Sequence, residues 1–194
     1  GALPFAPLGV KQVIGAVTVA SGADAWALSG MCGPDGAITF PANVILIPWR
    51  NPEGRITTVQ RRAITPDGKP KYVFPVGRSA TEPYGIEQLA TADAAADVAF
   101  VEGAVDALAY TTLCKRYSKP RIVLGLPGAS SWRSAWGSYA IGRVVHLALD
   151  ADEVGDRAAE RVAGDLHAAG ALRVLRQRPR GAKDWAELLQ KEAP

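Results

Sequence analysis

Hydrophobic and polar positions change rhythm once along the chain, near residue 95. Upstream, residues 42–50 form an apolar run that ends on Arg50, and Asn51-Pro52-Glu53-Gly54 reads as a turn. Residues 55–64 then alternate, Thr65-Pro66-Asp67-Gly68 reads as a second turn, and residues 71–76 as a third strand. Pro and Gly at these offsets punctuate hairpins, so this half predicts an antiparallel meander. The small, polar stretch 91–97 marks the boundary between two lobes, 1–95 and 96–194.

Downstream, strands alternate with helices. Residues 98–102 are a short apolar strand, and 104–117 have helical periodicity with Val105, Leu108, Ala109 and Leu113 on one side. A second strand over 121–126 precedes Pro127-Gly128 and a helix near 131–139. The third strand covers 143–149, a helix over 153–169 is closed by Gly170, the fourth strand covers 172–177, and 184–191 form a short last helix. Single helices between strands imply parallel crossovers and a sheet covered on both faces. The fold class is therefore α/β, preceded by a smaller β-rich lobe. In such sheets the loops at the carboxyl ends of the strands hold the chemistry. The chain has no internal repeat and no low-complexity tract.

Composition narrows the classes. A 194-residue chain with 48% hydrophobic and 21% charged residues can bury a core and is not a disordered polymer. The longest apolar stretch, 13–20, is broken by Gly15 and Thr18. It falls short of the ~18 residues of a membrane span, and its flanks do not suit a signal peptide. Cys32 and Cys114 are too few for a disulfide framework, which points to a reducing cytoplasm. With His146 and His167 they offer no zinc-module spacing. His146, within a strand, reads as a core histidine. Trp132 and Trp136, four apart, read as a packing face. Trp49 and Tyr72 suit either a strand core or stacking on a base.

Net charge is only +3, but its distribution is uneven. Arg50, Arg55, Arg61, Arg62, Lys69, Lys71 and Arg78 face only Glu53 and Asp67 in the same stretch. Arg173, Arg176, Arg178 and Arg180 make a second basic run. Such runs form a solvated face or a surface for phosphates.

Carboxylates gather where the strand-end rule puts a site. Glu102 closes the first downstream strand, Asp150 and Asp152 the third, and Asp184 follows the fourth; Asp106 sits one helical turn after Glu102. Like charges brought together there call for a divalent cation or raised pKa values. Oxygen ligands without His or thiolate suit magnesium or manganese. As single residues, Glu102 and Asp106 also read as acids at a helix N-terminus.

Residues 98–187 resemble a Toprim domain, the catalytic fold of bacterial primases, topoisomerases and some nucleases. The resemblance rests on VAFVEGAVDALA, LALDADEVGDRAA and GAKDWAELL, which carry Glu102-Gly103, Asp150-x-Asp152 and Lys183-Asp184. Upstream, Ile47-Pro48, Gly54-Arg55, Arg62, Lys71-Tyr72 and Tyr84-Gly85 resemble the basic lobe of DnaG-type primases and phage primase-helicases. LGLPGASSW, 124–132, resembles the primase-helicase loop after the second strand. The likeness covers about residues 42–190; 1–40 match no named pattern. Trp185-Ala186-Glu187 follows Lys183-Asp184 where the relatives have K-D-P-D or K-D-A-N-E.

What the resemblance implies is a Rossmann-like Toprim domain behind an antiparallel basic lobe, together a primase core. It would join ribonucleoside triphosphates into short primers on single-stranded DNA, with Mg2+ or Mn2+. Glu102, Asp150 and Asp152 are then catalytic and, with Asp184, hold the metal. Arg62, Lys71, Tyr72, Arg55 and Lys183 contact nucleotide or template, and Arg50 and Arg61 line the template track. A replicative helicase, in cis or in trans, is a further implied partner. A Toprim nuclease and a non-catalytic template-binding module are the competing readings. The chain has no room for a zinc module or a helicase motor, so it reads as a compact primase or as a piece of a longer protein.

Overall fold

The computed structural model describes residues 44–64 and 70–193; the expectations for residues 13–20, Cys32 and the turn at 65–68 lie outside them. Strands β1 (Val44–Arg50), β2 (Ile56–Ala63) and β3 (Tyr72–Val73) form one sheet in the order β1-β2-β3. Adjacent strands joined by so short a turn must be antiparallel. Asn51 closes that turn: its Oδ1 accepts the Arg55 N–H at 2.8 Å, and its carbonyl accepts the Gly54 N–H at 2.9 Å. β3 pairs antiparallel with β2, Arg62 opposite Tyr72. It spans two residues rather than the expected six, because Pro70 and Pro75 flank it without an N–H to donate.

The chain divides into two compact units, Gly1–Pro48 with Thr58–Ser79 and Trp49–Thr57 with Ala80–Pro194. The second is built on four parallel strands, β4 (Val98–Val101), β5 (Ile122–Gly125), β6 (Val144–Leu147) and β7 (Arg173–Arg176), in the order β5-β4-β6-β7. Every residue of β4 and β5 is buried, as expected for a sheet covered on both faces. Val98, Phe100, Leu124, Val145 and Leu147 face α2 (Glu153–Ala169), through Ala158, Val162 and Leu166. Ala99, Val101, Val123 and Ala148 face α1 (Ala104–Arg116) and Trp185, the first residue of α3 (Trp185–Lys191).

Two expectations change. The buried stripe of α1 is Ala107, Tyr110, Leu113 and Cys114, while Leu108 is 54% exposed. Tyr110 decides the helix's rotation by packing edge-on against Trp185, 4.5 Å between ring centroids. The helix expected near 131–139 is instead a pair of 3-10 turns, Ala129–Ser131 and Ser134–Ala140. Ser131 and Ser138 bond the carbonyls three residues back, at 2.5 and 2.8 Å, which favours the tighter winding.

Candidate active site

In the parallel register, Phe100 of β4 lies opposite Leu147 of β6, and the Ala148 N–H donates to the Phe100 carbonyl at 2.8 Å. The strands therefore end side by side, and each continues into an acid. Burial raises the Glu102 pKa, with Asp152 and Asp106 adding repulsion; Lys183 and a hydrogen bond from the Asp150 backbone oppose the rise. Asp150 is pushed up to about 7, first by burial and then by the charges of Glu102, Asp106 and Asp184. Its Oδ1 is buried without a hydrogen-bond partner. An acceptor in that condition costs stability unless something donates to it or coordinates it.

The other two predicted acids are tied down. Asp152 caps α2, its Oδ1 accepting the Gly155 N–H at 2.9 Å, and Asp184 caps α3, its Oδ1 accepting the Glu187 N–H at 2.7 Å. Each cap fixes one oxygen on a helix N-terminus. The two loops are joined directly, the Ala151 N–H donating to the Lys183 carbonyl at 2.9 Å. Lys183 Nζ is 3.8 Å from Asp152 Oδ2, a cation at the mouth of the cluster. Asp106 is more than a helix-end acid: it raises the pKa of both Glu102 and Asp150, and its Oδ1 accepts the Ala186 N–H at 3.1 Å, linking α1 to α3.

Among the described residues, no three His, Cys, Asp or Glu side chains form a ready-made metal cage. The donor set still suits one class of ion. All donors are carboxylate oxygens, two repel each other, and one oxygen lacks a partner. Magnesium keeps several waters and is held by one or two carboxylates together with substrate phosphates, so it needs no closed cage.

In the other unit Arg62, Lys71 and Tyr72 come together. Arg62 Nε donates to the Tyr72 hydroxyl at 3.0 Å, and Arg62 Cζ and Lys71 Nζ lie 5.7 and 5.6 Å from the Tyr72 ring centroid. Tyr72 is thus flanked by two cations rather than lost in a strand core. Arg55 is exposed at the β1–β2 turn, and Arg50 there donates to the Gly54 carbonyl at 2.7 Å. Arg61, beside Arg62 on β2, is half-buried, and burial lowers its pKa.

Two of the four arginines in the second basic run are paired within the fold, while Arg173 and Arg180 are exposed. Arg176 and Arg178 both bond Asp156, at 2.9 and 2.8 Å. Sequence reasoning missed Arg176, which also donates to the carbonyls of Leu149 (2.8 Å) and Asp150 (2.6 Å). Only the adjacency of β6 and β7 would have revealed it. His146 is 4% exposed, its Nε2 bonded to Asp97 Oδ2 at 2.8 Å, and burial lowers its pKa. It is a core residue, as are Trp49, 1% exposed and edge-on to Tyr84, and Trp136, edge-on to Trp132. Tyr84-Gly85 serves the backbone. Tyr84 pairs with Gly125 in both directions, and Gly85, at φ 83°, passes so close to β5 that a Cβ would meet the Val123 carbonyl at 2.8 Å.

No helix among the described residues is long and apolar enough to cross a membrane. Residues 99–189 match the Toprim-like family model. The fold is shared with primase cores. The Aquifex aeolicus primase (zinc-binding and RNA polymerase domains) matches with TM-score 0.69 and 17% identity over 95% of this chain and 46% of its own. A DnaG primase catalytic domain bound to single-stranded DNA matches with TM-score 0.68 and 19% identity over 91% and 58%. The RNA polymerase domain of Mycobacterium tuberculosis DnaG, in complex with a double-stranded DNA oligomer carrying a 6-nucleotide overhang, matches with TM-score 0.68 and 18% identity over 96% and 62%. The chain thus spans about half the length of these structures. No curated protein sequence matches it significantly.

Proposed function

We propose, from the premise that residues 99–189 are a Toprim-like domain, that this chain is the nucleotidyl-transfer core of a DnaG-like primase. Its reaction would join ribonucleoside triphosphates on single-stranded DNA: a 3′-hydroxyl attacks an α-phosphate and pyrophosphate leaves. The observation that carries this reading is the Glu102–Asp150 pair, two mutually repelling carboxyls with an unpartnered buried oxygen at adjacent strand ends. A binding module has no use for so costly an arrangement.

In this reading Glu102, Asp150 and Asp152 hold a divalent ion, magnesium or manganese, with Asp184 at a neighbouring position. When bound, that ion lowers the pKa of the attacking hydroxyl and neutralises charge on the phosphates. In the same reading Glu102 also takes the hydroxyl's proton as general base. The cap bonds of Asp152 and Asp184 leave each carboxylate one oxygen for a ligand and hold it at a fixed angle. Lys183 offers a positive charge to the triphosphate. Arg62 and Lys71, both close to the Tyr72 ring, bind template or triphosphate through phosphates, with Tyr72 as a further contact. Arg55 adds an exposed contact. A helicase partner, a cytoplasmic setting and a domain boundary at residue 95 belong to the same proposal.

The test is incorporation of labelled nucleotides on single-stranded DNA, with Mg2+ or Mn2+, run beside a strand-cleavage assay. Metal-dependent incorporation supports the reading. Cleavage without incorporation would make the chain a Toprim nuclease, and DNA binding without either reaction a template-binding module.

A further inference from the structure

No side chain holds the buried Oδ1 of Asp150 in place. What fixes it must be its main chain. The Asp150 carbonyl oxygen is held by a side chain and closely approached by the backbone of α2. Arg176 Nη2 donates to it at 2.6 Å, while Arg176 Nη1 donates to the carbonyls of Leu149 at 2.8 Å and Leu147 at 3.2 Å. Close to the Asp150 carbonyl lies Gly155, in the first turn of α2, where a Cβ would fall 2.3 Å from the same oxygen. Arg176 is itself anchored, its Nε and Nη2 both bonding Asp156 Oδ1 at 3.2 and 2.9 Å. Asp156 is in turn held by Arg178 through two bonds of 3.0 and 2.8 Å.

We infer that Arg176 is a positioning residue for the metal site, clamping the end of β6 so that the Asp150 carboxylate meets an incoming divalent ion at a fixed place. The inference rests on the proposed role of Asp150. A planar guanidinium is the group the clamp needs: it reaches the carbonyls of Leu147, Leu149 and Asp150 and still meets a carboxylate through its fork. A lysine keeps the charge and one bond but cannot bridge the set. Without the clamp, the loop from Leu149 to Asp152 is secured by its cap, by Ala151 and by the Asp150 backbone N–H on the Glu102 carboxylate, none of which holds the Asp150 carbonyl.

The measurement is Mn2+ binding to the full chain, read from loss of the free-ion electron paramagnetic resonance signal, with thermal melting beside it. Groups that hold a metal's carboxylate ligands in place are worth roughly 10–100-fold in affinity. Arg176→Lys is therefore expected to bind Mn2+ at least about tenfold more weakly than wild type at a temperature where both are folded. In the incorporation assay its kcat should fall while KM for the nucleotide holds, because the Arg176 guanidinium is taken up by main-chain carbonyls and Asp156. Asp156→Asn, which leaves the guanidinium but takes away its charged anchor, should show the same pattern to a smaller degree and serves if Arg176→Lys does not fold. Wild-type affinity in a folded Arg176→Lys or, where that variant does not fold, in Asp156→Asn overturns the clamp. Asp150→Asn separates the two ideas. If it too binds Mn2+ like wild type, the reading of Asp150 as a ligand has failed and the clamp falls with it. If it loses binding while Arg176→Lys keeps it, only the clamp has failed.

Discussion

Replacing Asp150 by Asn should make the metal-free protein more stable, by an amount that grows from about pH 4 and is full at neutral and higher pH. A carboxyl pushed from its ordinary 3.8 up to about 7 places an upper bound of ~4 kcal/mol on the cost of ionising it in the folded chain. Asp150 is only partly shielded from solvent, so screening reduces this to about 2 kcal/mol. The sign follows from proton binding. A raised folded-state pKa means the folded chain holds this proton more tightly than the unfolded one. Below about pH 4 both states are protonated and Asp150 costs nothing. The penalty grows as pH rises and is complete above about pH 7. Asn cannot ionise, so the difference between variant and wild type should be near zero at pH 4 and about 2 kcal/mol at pH 8. For a chain of this length that is a Tm gain of roughly 4–8 °C. Urea unfolding in EDTA at the two pH values measures it. Millimolar Mg2+ or Mn2+ should then stabilise the wild type and leave Asp150→Asn unchanged, since only a folded site gains from a ligand. A variant no more stable than wild type at pH 8 would refute the reasoning, because it would mean that the Asp150 carboxylate is satisfied in the folded chain.

Glu102→Gln should abolish nucleotide incorporation, by ~10³-fold or more, while its Tm in EDTA stays level or rises, checked by parallel activity and melting measurements. Arg62→Ala and Lys71→Ala should weaken DNA or triphosphate binding, each reducing the slope of log affinity against log salt by about one, as phosphate contacts require; an unchanged slope in fluorescence anisotropy would remove these residues from the interface. Gly155→Ala should destabilise by more than ~2 kcal/mol in urea unfolding, because the new Cβ meets the Asp150 backbone at 2.3 Å and a main-chain atom cannot swing aside.

Much of the second unit was legible because its signals are local. The helix over 153–169 starts at a capping aspartate, buries a regular stripe and stops at Gly170 in a left-handed conformation, all features one can read from neighbours in sequence. The strand-end acids were legible for a topological reason, that chemistry in such sheets collects at carboxyl ends. The failures share a different cause. The exposure of Leu108 depends on Tyr110 finding Trp185, 75 residues away, and nothing in the helix's own pattern announces that contact. Arg176 looked like one of four equivalent arginines because its acceptors belong to another strand. The 3-10 turns after Pro127-Gly128 were written in the serines, whose hydroxyls compete for backbone carbonyls, but apolar spacing hides that competition.

The two capping aspartates have a consequence for how lineages of this fold would drift. Asp152 and Asp184 start helices, so folding alone favours an acceptor at both places, and a descendant that had lost its reaction would feel selection to keep Asp, Asn, Ser or Thr there. Glu102 and Asp150 stand the other way round: folding is served by losing them, and in a chain relieved of catalysis the first neutralising substitution at either position would be favoured for stability. In a set of diverged sequences, the second aspartate of D-x-D and the aspartate of K-D would therefore outlive the activity, while the glutamate and the first aspartate of D-x-D would decay with it. The latter pair is the one to inspect when asking whether a distant member of this fold still works.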